Sequence, residues 1–268
     1  MKKRIITGTI LTIVLGLLIY FGEGELAFLF SGFCVLLSLV ASYEFTKMSR
    51  NNKTIRWFDY TAVIMTGIFS GLSVIFFDRI IFYKYIFVFL LGIILIYTFL
   101  FISIKEFTRF DFSNQILTIF YTSLGFIAFA YLRKIDINLI IYLLLVSMVT
   151  DVFAYFIGVQ FGRHRLAVHI SPKKSIEGAI GGMIFGTIIA SLYGYFFEVF
   201  TFDYIYIILL SIALSCISQI GDLIASKFKR EVNIKDYSNL FPGHGGVLDR
   251  FDSSMFAAIF LMLAIIVF

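Results

Sequence analysis

The residues best equipped for chemistry are crowded between Gly221 and Asp252. This stretch holds Asp222, Asp236, Asp249 and Asp252, the bases Lys227, Lys229, Arg230, Lys235 and Arg250, and the turn Pro242-Gly243-His244-Gly245-Gly246. Ser226 and Lys229 follow Asp222 at i+4 and i+7, which places the three on one helical face. Asp222 closes one apolar run and Asp249 opens the next, so two helix ends can bring their carboxylates together. Carboxylate oxygens with a serine and water suit Mg²⁺, a hard cation that bridges to substrate phosphates. The competing reading of each carboxylate is a helix-terminal salt bridge, and Asp252 reads equally as an N-cap. The glycine turn carries little side-chain bulk and reads as flexible, so its backbone can approach a phosphate closely. His244 reads as part of that site or as a turn hydrogen bonder. No second histidine stands at metal-ligand spacing, so zinc is not expected.

A second polar stretch runs from Gly162 to Gly178. Ser171 before Pro172 reads as an N-cap with proline at the first helical position. Lys173 and Lys174 then fall in the first turn, the wrong sign for the helix dipole. They serve either as positive-inside anchors or, with the exposed N–H groups, as a phosphate cradle. Glu177 can orient a lysine or a substrate hydroxyl, or is a favourable first-turn acid. Asp151 and Tyr155 sit one turn apart deep within an apolar run, where an ionisable group usually marks a site or a buried pair. Glu44 lies near the end of another run and can reach the interface.

The elements that must position these residues are membrane helices. Hydrophobic residues make up 60% of the 268 and charged ones 15%, whereas an ordinary soluble domain is about 45–50% apolar. The expected fold is all-α and polytopic, with about nine spans of about 20 residues each. They fall at 5–21, 26–46, 57–77, 80–104, 115–132, 137–161, 176–199, 203–226 and 251–268. The apolar runs are continuous rather than alternating, which argues against a β-barrel. Residues 1–268 read as one membrane domain. Within it, 1–135 form a scaffold, and 137–268 carry the site on loops 162–178 and 222–252. With the N-terminus in the cytoplasm, eighteen basic residues fall inside and three (Arg79, Arg133, Lys134) outside, Lys84 being left unassigned. This satisfies the positive-inside rule and places both polar loops in the cytoplasm. The net charge of +5 therefore reads as topology, and no nucleic-acid partner is expected. Cys34 and Cys216 stand alone within apolar runs and read as small buried hydrophobes. No GxxxxGK[ST] occurs, which excludes a P-loop. A transporter would string polar groups along several spans near the midplane, whereas here they gather in two loops.

The blocks Asp151-x-x-Ala154-Tyr155-Phe156-x-Gly158, Ser171-Pro172-Lys173-Lys174-Ser175-x-Glu177-Gly178, Ser226-x-Phe228-Lys229-Arg230, Lys235-Asp236, Pro242-Gly243-His244-Gly245-Gly246 and Asp249-Arg250-Phe251-Asp252 resemble, in order and gaps, the signature of the phosphatidate cytidylyltransferase (CDP-diacylglycerol synthase) family. Ala225, Ser175-Ile176, Asn233 and Tyr237 depart from residues common there. The resemblance implies a nucleotidyltransferase of phospholipid biosynthesis that converts CTP and phosphatidate to CDP-diacylglycerol and pyrophosphate. It implies Mg²⁺ on Asp222 and Asp249, a monovalent cation such as K⁺ beside it, and phosphate contacts from Lys173, Lys174, Lys229 and Arg230. It also implies that Ser226, His244 and Arg250 shape the site, in an inner-membrane protein that forms homodimers. The nearest rival is a CTP-dependent lipid kinase of the polyprenol type, which would yield a phosphorylated lipid and CDP.

Overall fold

The computed structural model describes residues 2–22, 26–50, 54–77, 82–201 and 203–267. Of the basic residues in the charge count, Lys53 and Arg79 lie outside them. The described residues form helices α1 (Lys2–Phe21), α2 (Ala27–Ser49), α3 (Tyr60–Phe76), α4 (Phe82–Ser103), α5 (Arg109–Ile135), α6 (Ile137–Phe161), α7 (Ile176–Phe196), α8 (Tyr204–Glu231) and α9 (Leu248–Val267). Two short strands, β1 (Arg165–Ala167) and β2 (Ser171–Ser175), stand between α6 and α7. Among the described residues eight helical spans, α2 to α9, with the turn Trp57–Asp59 extending α3, are long and apolar enough to cross a membrane, and α1 carries a shorter apolar stretch, Gly8–Phe21. The chain is an all-α multi-pass membrane protein. The expected segment 137–161 coincides with α6, whereas α8 runs on past 226 to Glu231 and α9 begins at Leu248 rather than 251.

The contacts divide the chain into two units. The first comprises residues 1–131 and 236–248. Its aromatic core gathers Phe58, Phe69, Ile93, Tyr97, Phe107 and Ile119, with the Phe69 ring stacked on Phe89 at 4.8 Å. Arg50, just past α2, donates to both oxygens of Asp59 at 2.8 and 2.5 Å and pairs with Asp111 at 2.6 Å. The Asp59 hydrogen bonds, with the charges of both carboxylates, raise the Arg50 pKa. This basic residue is thus a tie between the end of α2 and the starts of α3 and α5, beyond the anchoring role that its position near a span end suggests.

Glu44 does not reach the interface. Its side chain is buried, at 3% exposure. It accepts hydrogen bonds from Ser238 Oγ at 2.6 Å and from the Val247 and Leu248 N–H groups at 3.0 Å. A carboxylate is retained in such a place only when donors replace water. The neighbouring Phe45 ring packs on Tyr237, 6.3 Å between centroids. The glycine turn of the same segment is closed by backbone hydrogen bonds. His244 N donates to Phe241 O, and Phe241 N to Gly245 O, both at 2.8 Å. Pro242 and Gly243 occupy its corners, with Gly243 and Gly245 both at φ 80°, a conformation glycine adopts without a Cβ penalty.

The second unit comprises residues 132–235 and 249–268. Here α7 packs closely on α6 through small residues: a Cβ on Gly182 would stand 2.5 Å from Thr150 O, and one on Gly178 3.0 Å from Gly158 Cα. Such small faces let membrane helices approach closely where no hydrophobic effect drives them together. Tyr142 to Ser211 and Thr150 to Ser215, each 2.8 Å, tie α6 to α8.

Candidate active site

Between α6 and α7 the chain turns back as a hairpin, β1 and β2 pairing antiparallel with Arg165 opposite Ser175 and Ala167 opposite Ser171. This corrects the expectation for Ser171. It is a strand residue, and the N-cap of α7 is Ser175, whose hydroxyl accepts from Gly178 N at 3.1 Å. Lys173 and Lys174 consequently stand on β2, not in a first helical turn. The dipole misfit noted in the sequence disappears, and Glu177, the acid actually in the first turn, has the favoured sign. Glu177 accepts from the N–H groups of Arg163 and His164 at 3.1 and 3.2 Å and pairs with His164 Nδ1 at 2.6 Å. It therefore orders the chain between α6 and β1.

Within the second unit, α6, the hairpin, α7, α8 and α9 enclose a cavity of about 760 Å³. Asp151, Tyr155, Lys173, Lys174, Asp222 and Asp249, all candidates from the sequence, line it. Asp252, Gln219 and Arg165 line it as well. Asp252 is not an N-cap, because α9 begins four residues earlier. It stands one turn beyond Asp249, and this i, i+3 spacing was the signal for it, just as Gln219 stands one turn before Asp222. Ala154, Tyr155, Val159 and Leu166 give one side of the cavity an apolar wall, and Tyr155 and Val159 are each 68% exposed.

Three of the cavity's four aspartates face a lysine and the fourth a serine. Lys174 Nζ binds Asp222 Oδ2, and Ser226 Oγ donates to Asp222 Oδ1 at 3.3 Å. Lys229, one turn beyond Ser226 on α8, reaches Asp249 at 2.8 Å and Asp252 at 3.9 Å. Ser253 Oγ donates to Asp151 Oδ2 at 2.9 Å. The close crossing of α8 and α9 depends on Gly221, where a Cβ would stand 2.8 Å from Asp252 O. Arg230 donates to backbone, Nε to Ile170 O at 3.3 Å and Nη1 to Ile234 O at 2.8 Å. It secures the hairpin. Lys235 and Arg250 are exposed and do not line the cavity. Asp236 and His244 belong to the first unit, where His244 has its Nδ1 buried without a hydrogen-bond partner among the described residues and its Nε2 3.3 Å from the place a Cβ on Gly8 would take.

Four carboxylates around one cavity form an all-oxygen donor set, the chemistry that suits a hard divalent cation. Among the described residues no group of three or more acids, histidines or cysteines is placed to hold an ion by itself. A divalent cation that takes one or two carboxylates and keeps its other positions for phosphate oxygens and water suits such a donor set. Lys173 and Lys174 line the same cavity and add ammonium groups suited to phosphate oxygens.

Comparison with known proteins gives the same direction. Residues 2–268 match the cytidylyltransferase family. Over 174 residues the chain is 39% identical to the phosphatidate cytidylyltransferase of Staphylococcus haemolyticus (strain JCSC1435), an alignment covering 65% of this chain and 66% of that protein. It is 34% identical over 182 residues to the phosphatidate cytidylyltransferase of Bacillus subtilis (strain 168), covering 67% of each. The aligned region thus spans about two thirds of these relatives, while the family match takes in nearly the whole chain, helices and cavity alike: this protein belongs to the cytidylyltransferase family.

Proposed function

We propose that this protein is a phosphatidate cytidylyltransferase, transferring CMP from CTP to phosphatidate to give CDP-diacylglycerol and pyrophosphate. The observation that carries the reading is the cavity itself. It sets Lys173, Lys174 and four aspartates against an apolar wall of α6 residues, as a reaction between a nucleotide and a lipid headgroup requires. The two relatives above bear the name of this activity.

In this reading Lys173 and Lys174 hold phosphate oxygens, and the rigid hairpin fixes where those ammonium groups stand. Tyr155 and Val159 flank the glycerol and upper acyl chains, which keeps the phosphatidate headgroup facing the nucleotide. An oxygen of the phosphatidate phosphate attacks the α-phosphorus of CTP. A new P–O–P linkage forms, the bond between the α-phosphorus and its bridging oxygen breaks, and pyrophosphate leaves with that electron pair. The nucleophile is already an anion at neutral pH, so no side chain need act as a strong base, and positioning with charge stabilisation supplies the rate. Asp222 and Asp249 would hold a divalent cation, Mg²⁺ in our reading, with a monovalent cation such as K⁺ beside it. When bound, the divalent ion neutralises charge on the nucleotide phosphates and the leaving group. Lys229 orients Asp249, and Ser226 orients Asp222. We place the protein in the cell membrane with the hairpin and the α8–α9 connection in the cytoplasm, where CTP is available, and as a homodimer.

Purified protein in detergent micelles with phosphatidate, CTP and Mg²⁺ should release pyrophosphate and form a CDP-lipid, and EDTA should stop both. CDP release with a phosphorylated lipid alcohol in a parallel reaction would instead identify a CTP-dependent lipid kinase and sink the proposal.

A further inference from the structure

Glu44 is the one acidic residue of α2, it is buried, and the reaction as derived above does not use it. Donors to it come from the two ends of a single segment, Ser238 at one and Val247 with Leu248 at the other. Between those ends lies the closed glycine turn that carries His244. A Cβ on Gly246 would overlap the Glu44 carboxylate, so the segment is shaped around this side chain. The carboxylate also sits on the N–H groups that open α9, where an anion complements the helix dipole. This accounts for the start of α9 at Leu248 rather than at 251, where hydropathy alone would begin it. The frame has a consequence further along α9. Asp249 falls in its first turn and Asp252 one turn later on the same face. A start three residues on would leave Asp249 outside the helix.

We propose that Glu44 is a positioning residue for cytidylyl transfer. Its carboxylate clamps both ends of the Ser238–Leu248 segment and sets the helical frame in which α9 presents Asp249, an inference that rests on the function proposed above.

The test uses the full chain in detergent with CTP, phosphatidate and Mg²⁺, and reads steady-state kinetics beside hydrogen exchange. Glu44→Gln keeps the size of the side chain but exchanges one acceptor for a donor facing an N–H. It should lower kcat by about 10–100-fold, the scale expected for slight misplacement of a reacting group. KM for CTP should stay within about threefold, because the lysines that hold the nucleotide are untouched. Exchange should rise in peptides covering Ser238–Leu248 and remain unchanged in α6 to α8. Gly246→Ala should be damaging alone and much less so in a Glu44→Ala background, since the methyl then has room. Faster exchange in the segment with unchanged kcat would reduce Glu44 to a structural clamp and overturn the proposal, as would unchanged exchange. If Glu44 variants unfold throughout, Ser238→Ala decides: it removes the donor at one end of the segment, and an unaltered kcat there overturns the proposal. An inactive wild type overturns the functional reading and this inference with it, whereas an active wild type with unaffected Glu44 variants overturns the inference alone.

Discussion

The two Lys–Asp pairs of the cavity are alike in chemistry but differ in burial, and burial decides what each contributes. The Lys229 and Asp249 side chains are 10% and 3% exposed, against 29% and 24% for Lys174 and Asp222. Removing one partner of a buried pair costs about 3–5 kcal/mol, because the other charge is left without adequate solvation. A pair that water still reaches contributes about 0–1 kcal/mol. Lys229→Met should therefore lower the thermal midpoint in detergent as well as abolish activity. Lys174→Met should abolish activity at a nearly unchanged midpoint. Equal midpoints for the two variants would show that the pairs are not distinguished by burial. Asp222→Asn keeps the shape of the side chain and an acceptor for Ser226 but removes the anion that a cation needs. Its turnover should fall by at least about 100-fold, the scale of losing a charge-stabilising group, while the helical circular dichroism signal stays intact. Near-normal turnover would remove Asp222 from the proposed cation site. The spacing of Asp222, Ser226 and Lys229 was readable from the sequence because it is one helical face. Glu44 was not, because a lone acid near the end of an apolar run looks interfacial and its hydrogen-bond donors stand 194 to 204 residues further along the chain.

At the scale of elements, the helices were legible and the hairpin was not. Runs of apolar residues long enough to cross a bilayer leave the backbone one economical solution, since a helix satisfies its own N–H and C=O groups. The stretch from Ser171 to Ser175 had no such constraint. Ser171, followed by Pro172, carries the N-cap signature, whereas Ser175, which caps the helix, has no proline after it to mark it. The electrostatic misfit of Lys173 and Lys174 was the clue that the helix starts later, at Ile176 with Glu177 in its first turn. The two serines now make a direct comparison. Ser175→Ala removes the cap and should cost about 1 kcal/mol of helix stability. It should also loosen the Gly162 side of the hairpin, since the Ser175 hydroxyl fills the space beside Gly162. Ser171→Ala, on the strand, should change stability by less than about 0.5 kcal/mol. Chemical unfolding in mixed micelles measures both, and an equal or reversed order would return the cap to Ser171.

At the scale of the whole molecule, the distribution of charge makes a claim about sidedness that one helix can test. α5 has 27 residues, Arg109–Ile135, a length of about 40 Å at 1.5 Å per residue, enough to cross a hydrocarbon core of about 30 Å. Lys105 precedes it and Lys134 closes it, both exposed. In the orientation proposed above, drawn from the excess of lysine and arginine on one side, Lys105 would lie in the cytoplasm and Lys134 outside. The same proposal would put the hairpin and the α8–α9 connection on the side of Lys105. Neither position belongs to the proposed active site, so substitution there should leave the reaction intact. In a background freed of its two cysteines by Cys34→Ala and Cys216→Ser, Lys134→Cys should react with a membrane-impermeant maleimide in intact cells. Lys105→Cys should react only after the membrane is opened. The reverse pattern would turn the cavity away from cytoplasmic CTP and remove the support for a nucleotide substrate. Labelling of both positions from outside would show that α5 does not cross the membrane, and the positive-inside count would lose its meaning. Labelling of Lys134→Cys alone would place the lysines and aspartates of the second unit on the face where nucleotide is made, with the apolar wall of α6 open to the lipid they are proposed to act on.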